Sequence, residues 1–162
     1  MPAAEPERIR QLPKAMSPLS LSGPIIFSIT PTRVDVRAGT VTFALEPVMY
    51  FAATADKPTV LAVGNGRIPM EAYVRVDLFR PESSLPPNTS KMDALDRFFR
   101  YAMKQIIDRH VFRTKPDIRV VGAESLEAVL GGYQVDVLSH ALEGAGARHV
   151  TFLRAEQASI AE

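Results

Sequence analysis

The stretch Pro24-Ile25-Ile26-Phe27-Ser28-Ile29-Thr30-Pro31-Thr32-Arg33-Val34-Asp35-Val36-Arg37-Ala38-Gly39-Thr40-Val41-Thr42-Phe43-Ala44-Leu45 decides the architecture. Its first part, Pro24 to Ile29, is a short apolar run and reads as a buried strand. Arg33 to Arg37 alternates strictly, so Val34 and Val36 share one face and the charges share the other. Ala38-Gly39 supplies a turn in which glycine tolerates positive φ. Thr40 to Leu45 is then the returning strand, and Val48-Met49-Tyr50-Phe51-Ala52 is expected to continue it past a break at Glu46-Pro47, because proline cannot donate to a ladder. The expectation is a three-stranded antiparallel meander.

Residues 56–88 have a shorter rhythm and read as a smaller, insert-like region. Thr59 to Val63 is a strand, Gly64-Asn65-Gly66 a tight turn, Arg67 to Tyr73 a short helix, Val74 to Phe79 an extended piece, and the proline-rich Pro81 to Thr89 a loop. Lys91 to His110 is the clearest helix: Met92, Leu95, Phe99, Ala102, Met103 and Ile106 recur at helical steps, with Phe98 and Ile107 widening the stripe. Ser90 caps it, and Asp93 completes a capping box. Asp117 to Val121 is a strand. A helix follows from Ser125, breaks at Gly131-Gly132, and resumes from Tyr133 to Glu143 with Val135, Leu138 and Leu142 facing inward. Gly144-Ala145-Gly146 stops it. His149 to Leu153 is the last strand and Arg154 to Ala161 a closing helix. This helix–strand alternation favours parallel strands joined by right-handed crossovers. On the other side of the opening stretch, residues 1–23 hold Pro2, Pro6, Pro13 and Pro18 and read as a flexible tail with at most a turn of helix near Glu7 to Leu12.

Composition bounds the function classes. A chain of 162 residues, 46% hydrophobic and 23% charged, suits one globular domain with a sizeable core. With 19 basic and 18 acidic residues the net charge is +1, which gives no electrostatic footprint for nucleic acid. Without cysteine there are no disulfides, thiolate metal sites or cysteine catalysis. No stretch is long enough to span a bilayer, and the N-terminus has no signal-peptide core, so a soluble, cytoplasmic protein is expected.

Motifs that carry chemistry are missing. Gly64-Asn65-Gly66 has Pro69 where a dinucleotide fingerprint needs glycine, and reads as a turn. Gly144-Ala145-Gly146 ends a helix, whereas anions seek the N–H groups at a helix start. His110, His140 and His149 are too scattered for a metal site: His110 is expected at a helix end, His140 on the wet side of its helix and His149 at the start of a strand. Glu124 with Glu127, and Asp93 with Asp96, read as solvated helix faces. No catalytic set, cofactor or metal is expected.

The order of the elements, with Leu45-Glu46-Pro47-Val48, then Ala62-Val63-Gly64, then Gly144-Ala145-Gly146-Ala147-Arg148 followed by Val150, Phe152 and Leu153, resembles the N-terminal half of MreB, the bacterial actin homologue that determines rod shape. Glu156 and Ala158 to Ala161 resemble the family's next segment. The likeness runs from about residue 24 to the end. It implies an α/β, actin/ribonuclease-H-like domain over residues 24–162, built on a mixed five-stranded sheet in which an antiparallel meander is followed by parallel strands.

The resemblance also implies what should bind ATP, and there the chain departs from it. The family's first hairpin carries Asp-x-Gly-Thr; here that place reads Phe27-Ser28-Ile29-Thr30, so only Thr30 survives. Phe27 offers magnesium no oxygen, and Ile29 puts a branched side chain where glycine let the backbone approach phosphate. Counting back from Gly144, Gln134 takes the place of the water-activating Glu, and an amide cannot accept a proton as a carboxylate does. The chain stops at Glu162, before the family's second domain. The expectation is a degenerate half-domain that is not an enzyme, binds no ATP alone, and serves as a protein-interaction or scaffold subunit. Its partner would be a second copy, a full-length actin-like protein, or an assembly peripheral to the inner membrane. Phe27, Ile29 and Ile160 are the candidate partner-binding residues; the competing reading is that they fill the domain's own core, and for Ile29 the two stand level. The alternative function is a split actin-like ATPase completed by a separate chain. A ribonuclease-H-like nuclease is disfavoured, since the first strand carries no acid and Asp35 on the second faces solvent.

Overall fold

The structure is a computed structural model and describes residues 23–54, 56–80, 84–108 and 115–154. The opening stretch forms β1 (Ile25–Thr30), β2 (Arg33–Ala38) and β3 (Val41–Leu45). β2 pairs antiparallel with both neighbours, with Phe27 opposite Val36 and Val36 opposite Phe43. The expected alternation holds. Ile25, Phe27, Ile29, Val34, Val36 and Ala38 are buried on one face of the sheet.

β4 (Val48–Ala52) corrects the reading of the meander. It does not prolong β3. It is the centre of a second, three-stranded sheet, between β5 (Val60–Val63) and β6 (Tyr73–Asp77), and it is antiparallel to both. Val48, Met49, Tyr50 and Phe51 are all buried, which is the pattern of a strand covered on both faces rather than of an edge. The Glu46-Pro47 break turns the chain: the Val48 N–H bonds the Glu46 carbonyl at 2.7 Å, and the Pro47 carbonyl accepts from Leu78 at 2.8 Å. The short helix expected over Arg67 to Tyr73 is also absent. Pro69 interrupts that segment, and Tyr73 already belongs to β6, opposite Ala52.

Helix α1 (Lys91–Ile107) carries the expected capping box, with the Asp93 N–H bonded to Ser90 Oγ and the Asp93 side chain returning to the Ser90 N–H. Its buried stripe is Ala94, Leu95, Phe98, Phe99, Ala102, Met103 and Ile106. Met92 lies outside it, 57% exposed. β7 (Asp117–Val121) runs parallel to β1 and is followed by a single 3-10 turn (Ala123–Leu126) and a one-turn helix α2 (Glu127–Leu130). Helix α3 (Gln134–Gly144) then leads to β8 (His149–Leu153), parallel to β7. In α3 the inward side chains are Val137, Leu138, Ala141 and Leu142; Val135, expected inside, is 45% exposed. The five-stranded order is β3-β2-β1-β7-β8, the mixed sheet expected from the sequence. One hydrophobic cluster joins both sheets and the helices, with Phe27 and Val120 of the large sheet, Met49 and Phe51 of the small one, and Phe98 and Leu138 from the helices. The closing helix from Arg154 to Ala161, the helical turn near Glu7 to Leu12 and His110 lie outside the described residues, apart from Arg154 itself.

Candidate functional site

In open α/β sheets ligands gather outside the carboxyl ends of parallel strands. Here those ends are Thr30 of β1, Val121 of β7 and Leu153 of β8. The first carries a tight hairpin. Thr30 Oγ1 donates to the Arg33 carbonyl at 3.1 Å, so the one hydroxyl that matches the family motif is occupied by its own turn. The exposed Arg33 and Asp35 pair beside it, Nε to Oδ1 at 2.8 Å.

Phe27 and Ile29 do not face this end of the sheet. Phe27 is fully buried and meets Phe99 of α1 with ring centroids 6.1 Å apart; Ile29 is 4% exposed. This corrects the expectation of a partner-binding patch at these two positions, because their side chains complete the chain's own core. Ile160, the third candidate, lies outside the described residues.

The carbonyl of Ile29 points to the turn after β7. Gly122 sits there with φ +82°, and a Cβ on it would lie 2.2 Å from the Ile29 oxygen. Ser125 Oγ closes the same turn, donating to the Gly122 carbonyl at 2.7 Å and reaching the Ile29 carbonyl at 3.5 Å. Sequence reading missed Gly122 and Ser125. The available signal was a glycine placed directly after a strand, followed by a serine able to cap a turn.

Beyond this turn lies an open cleft of about 630 Å³, lined by Ala123, Glu124, Gln134, Val135, Phe152, Leu153 and Arg154. Gln134 is the first residue of α3, and its Oε1 is buried with no hydrogen-bond donor. Gln134 thus lines the cleft, while Phe27 is buried in the core and does not. The cleft holds one carboxylate, Glu124. Among the described residues no group of three or more acidic or histidine side chains could hold a metal. His140 and His149 are exposed, the former on α3, where it lines an open groove with Asp93 and Asp96 of α1, and the latter at the start of β8.

The motifs that carried the resemblance act in the framework. Leu45-Glu46 and Gly64 meet in space: the Gly64 N–H bonds the Val48 carbonyl at 2.7 Å, and its α-carbon faces the Glu46 backbone. Asn65 bridges the site, accepting from Tyr50 Oη at 2.8 Å and donating to the Glu46 carboxylate. In the Gly144 to Arg148 string, Arg148 forms a two-pronged ion pair with Asp117, at 3.0 and 2.8 Å. That hydrogen bond holds the Asp117 carboxyl below its ordinary range and raises the Arg148 guanidinium. Gly144 offers its carbonyl to Arg100 of α1 at 2.9 Å. Among the described residues no helix is long and apolar enough to cross a membrane.

No family model and no curated protein matches the sequence. Solved structures do match the fold. One is MreB5 of Spiroplasma citri bound to ADP, with a TM-score of 0.53 and 10% identity over 81% of this chain and 38% of that one. Another is the same protein bound to AMPPNP, with a TM-score of 0.53 and 13% identity over 86% of this chain and 41% of that one. The chain thus spans about two fifths of the length of these structures. Strand order, the carboxyl-end hairpin and this likeness together give the chain an α/β fold of the MreB or actin-like kind.

Proposed function

We propose that this chain is a non-catalytic actin-like module that binds no ATP by itself and works as an interaction or scaffold subunit in the cytoplasm. The observation that supports this reading best is the state of the β1 end: Phe27 and Ile29 are committed to the core, and the Ile29 carbonyl is closed over by Gly122 and Ser125. A triphosphate with magnesium needs backbone N–H groups, cations and metal-binding oxygens converging on one spot. The cleft next to that end offers one cation, Arg154, and one carboxylate, Glu124, beside Gln134 and the apolar Val135, Phe152 and Leu153, which is not a converging set of phosphate donors and metal-binding oxygens. A module without chemistry acts through its surfaces, and its partner is a protein: a second copy or a larger actin-like assembly.

The test is thermal unfolding of the full chain with rising ATP or ADP and magnesium. A ligand at a hundred times its Kd stabilises a protein by about 2.7 kcal/mol. The expected result is an unchanged Tm up to millimolar nucleotide. A saturating rise in Tm defeats the proposal. Stabilisation seen only after mixing with a second, acid-bearing actin-like half defeats it too, in favour of a split ATPase.

A further inference from the structure

An edge strand presents a row of N–H and C=O groups without a ladder partner, and such edges are guarded by charge, proline, irregular pairing or shortness. The two sheets have four edges, β3 and β8 in the large one, β5 and β6 in the small one. Three carry guards. β6 has the exposed Arg75 and Asp77 within it. β5 is only four residues long, is entered from Pro58-Thr59, and shifts its register with β4 at Tyr50 and Phe51. β8 starts with His149 next to Arg148 and runs out into Arg154. β3 has none of these. Val41-Thr42-Phe43-Ala44-Leu45 contains no charge, proline or glycine. It pairs with β2 in unbroken register, from Val41 opposite Ala38 to Leu45 opposite Val34. Among the described elements, β2 is the one that runs alongside it.

The strand is also only half-covered. Val34, Val36 and Ala38 of β2 are buried, whereas their partners Leu45, Phe43 and Val41 are half-buried and form the rim of the core. Thr42 and Ala44, on the other face, are exposed. A strand laid against this edge continues the core face outward. The sequence of β3 fits a second copy of itself. Antiparallel pairing about Phe43 sets Phe43 against its own counterpart, Val41 against Leu45 and Thr42 against Ala44. Large apolar side chains then meet on one face and small ones on the other, with no like charges opposed. Glu46, just beyond the strand, falls opposite Thr40 and is already bonded to Asn65 of its own chain. We propose that β3 is a homodimerisation edge, at which two copies pair antiparallel about Phe43 and join their five-stranded sheets into one. Each copy uses its one unguarded edge, so assembly closes at two. This rests on the interaction role proposed above and names its surface and partner. The nucleotide titration leaves β3 untouched, so the two readings fail separately.

The test is the mass of the full chain by sedimentation velocity, from low to high micromolar concentration. One strand from each side makes a small interface, so a dimer with a Kd of about 10 µM is expected. Thr42→Lys with Ala44→Lys opposes like charges twice across the axis and should raise that Kd about tenfold. Thr42→Lys with Ala44→Glu opposes unlike charges instead and should restore the dimer, with circular dichroism unchanged in both. Because the chain has no cysteine, Thr42→Cys and Ala44→Cys report the register directly. Mixed and oxidised, these two variants should give about fivefold more disulfide dimer than either alone, since residues directly opposite lie within disulfide reach and diagonal ones do not. A monomer at every concentration, a dimer indifferent to the paired lysines, polymers as the main product, or equal cross-linking in mixed and single samples overturns the proposal.

Discussion

At Gly122 the size of one side chain decides whether two strands can lie side by side. The residue combines a left-handed φ of +82° with an approach to the Ile29 carbonyl that leaves no room for a Cβ. Gly122→Ala therefore meets both a conformational cost and a backbone clash, and is expected to destabilise the chain by about 3 kcal/mol in urea unfolding. Gly131→Ala is the comparison: its φ is also positive, but nothing lies within 4 Å of the added carbon. It should cost only about 1 kcal/mol. Equal losses would mean that the contact between the β7 turn and β1 is not tight. Phe27 and Ile29 teach the complementary lesson. The sequence shows that they cannot grip magnesium or phosphate, but not which way they face. Alternation along β1 would allow either face to be inside, and only pairing with Val36 and Val120 fixes it.

Among the elements, β7, α3 and β8 are fastened by Arg148. Its backbone N–H bonds the Pro116 carbonyl at 2.8 Å while its guanidinium grips Asp117. Because the folded state holds the Asp117 carboxyl below its ordinary range, the pair stabilises the fold fully above that range. The contribution is lost as the pH falls through the lowered value. Arg148→Met should therefore lower the Tm near neutral pH, and its difference from the unaltered chain should shrink towards zero in acid. A difference that stays constant with pH would show that Arg148 acts through packing instead. Helix α1 was the most legible element, because its capping box and apolar period agree. Its Met92 and the Val135 of α3 were misplaced for one reason: a first-turn residue on the edge of the stripe has no neighbour to cover it. β4 was misplaced because an apolar run cannot reveal which sheet it joins.

For the molecule as a whole, the small sheet is not an ornament on the large one. Phe51 and Met49 share a hydrophobic cluster with Phe27, Phe98 and Leu138. Phe51→Ala is expected to cost about 4 kcal/mol, and amide exchange should quicken in β1 and β7 by the same free energy as in β4 and β6. Quickening confined to β4, β5 and β6 would show two independently stable halves. The sequence by itself determined the strands of the meander, the long capped helix and the parallel crossovers, because alternation and capping are local properties of the chain. Only the tertiary structure decided that β4 leaves for a second sheet, that Gly122 and Ser125 close over the Ile29 carbonyl, and that an acidic, apolar groove opens between α1 and α3. Each of these depends on which surfaces meet across long separations in the chain, and that is settled by packing, not by the residues on either side.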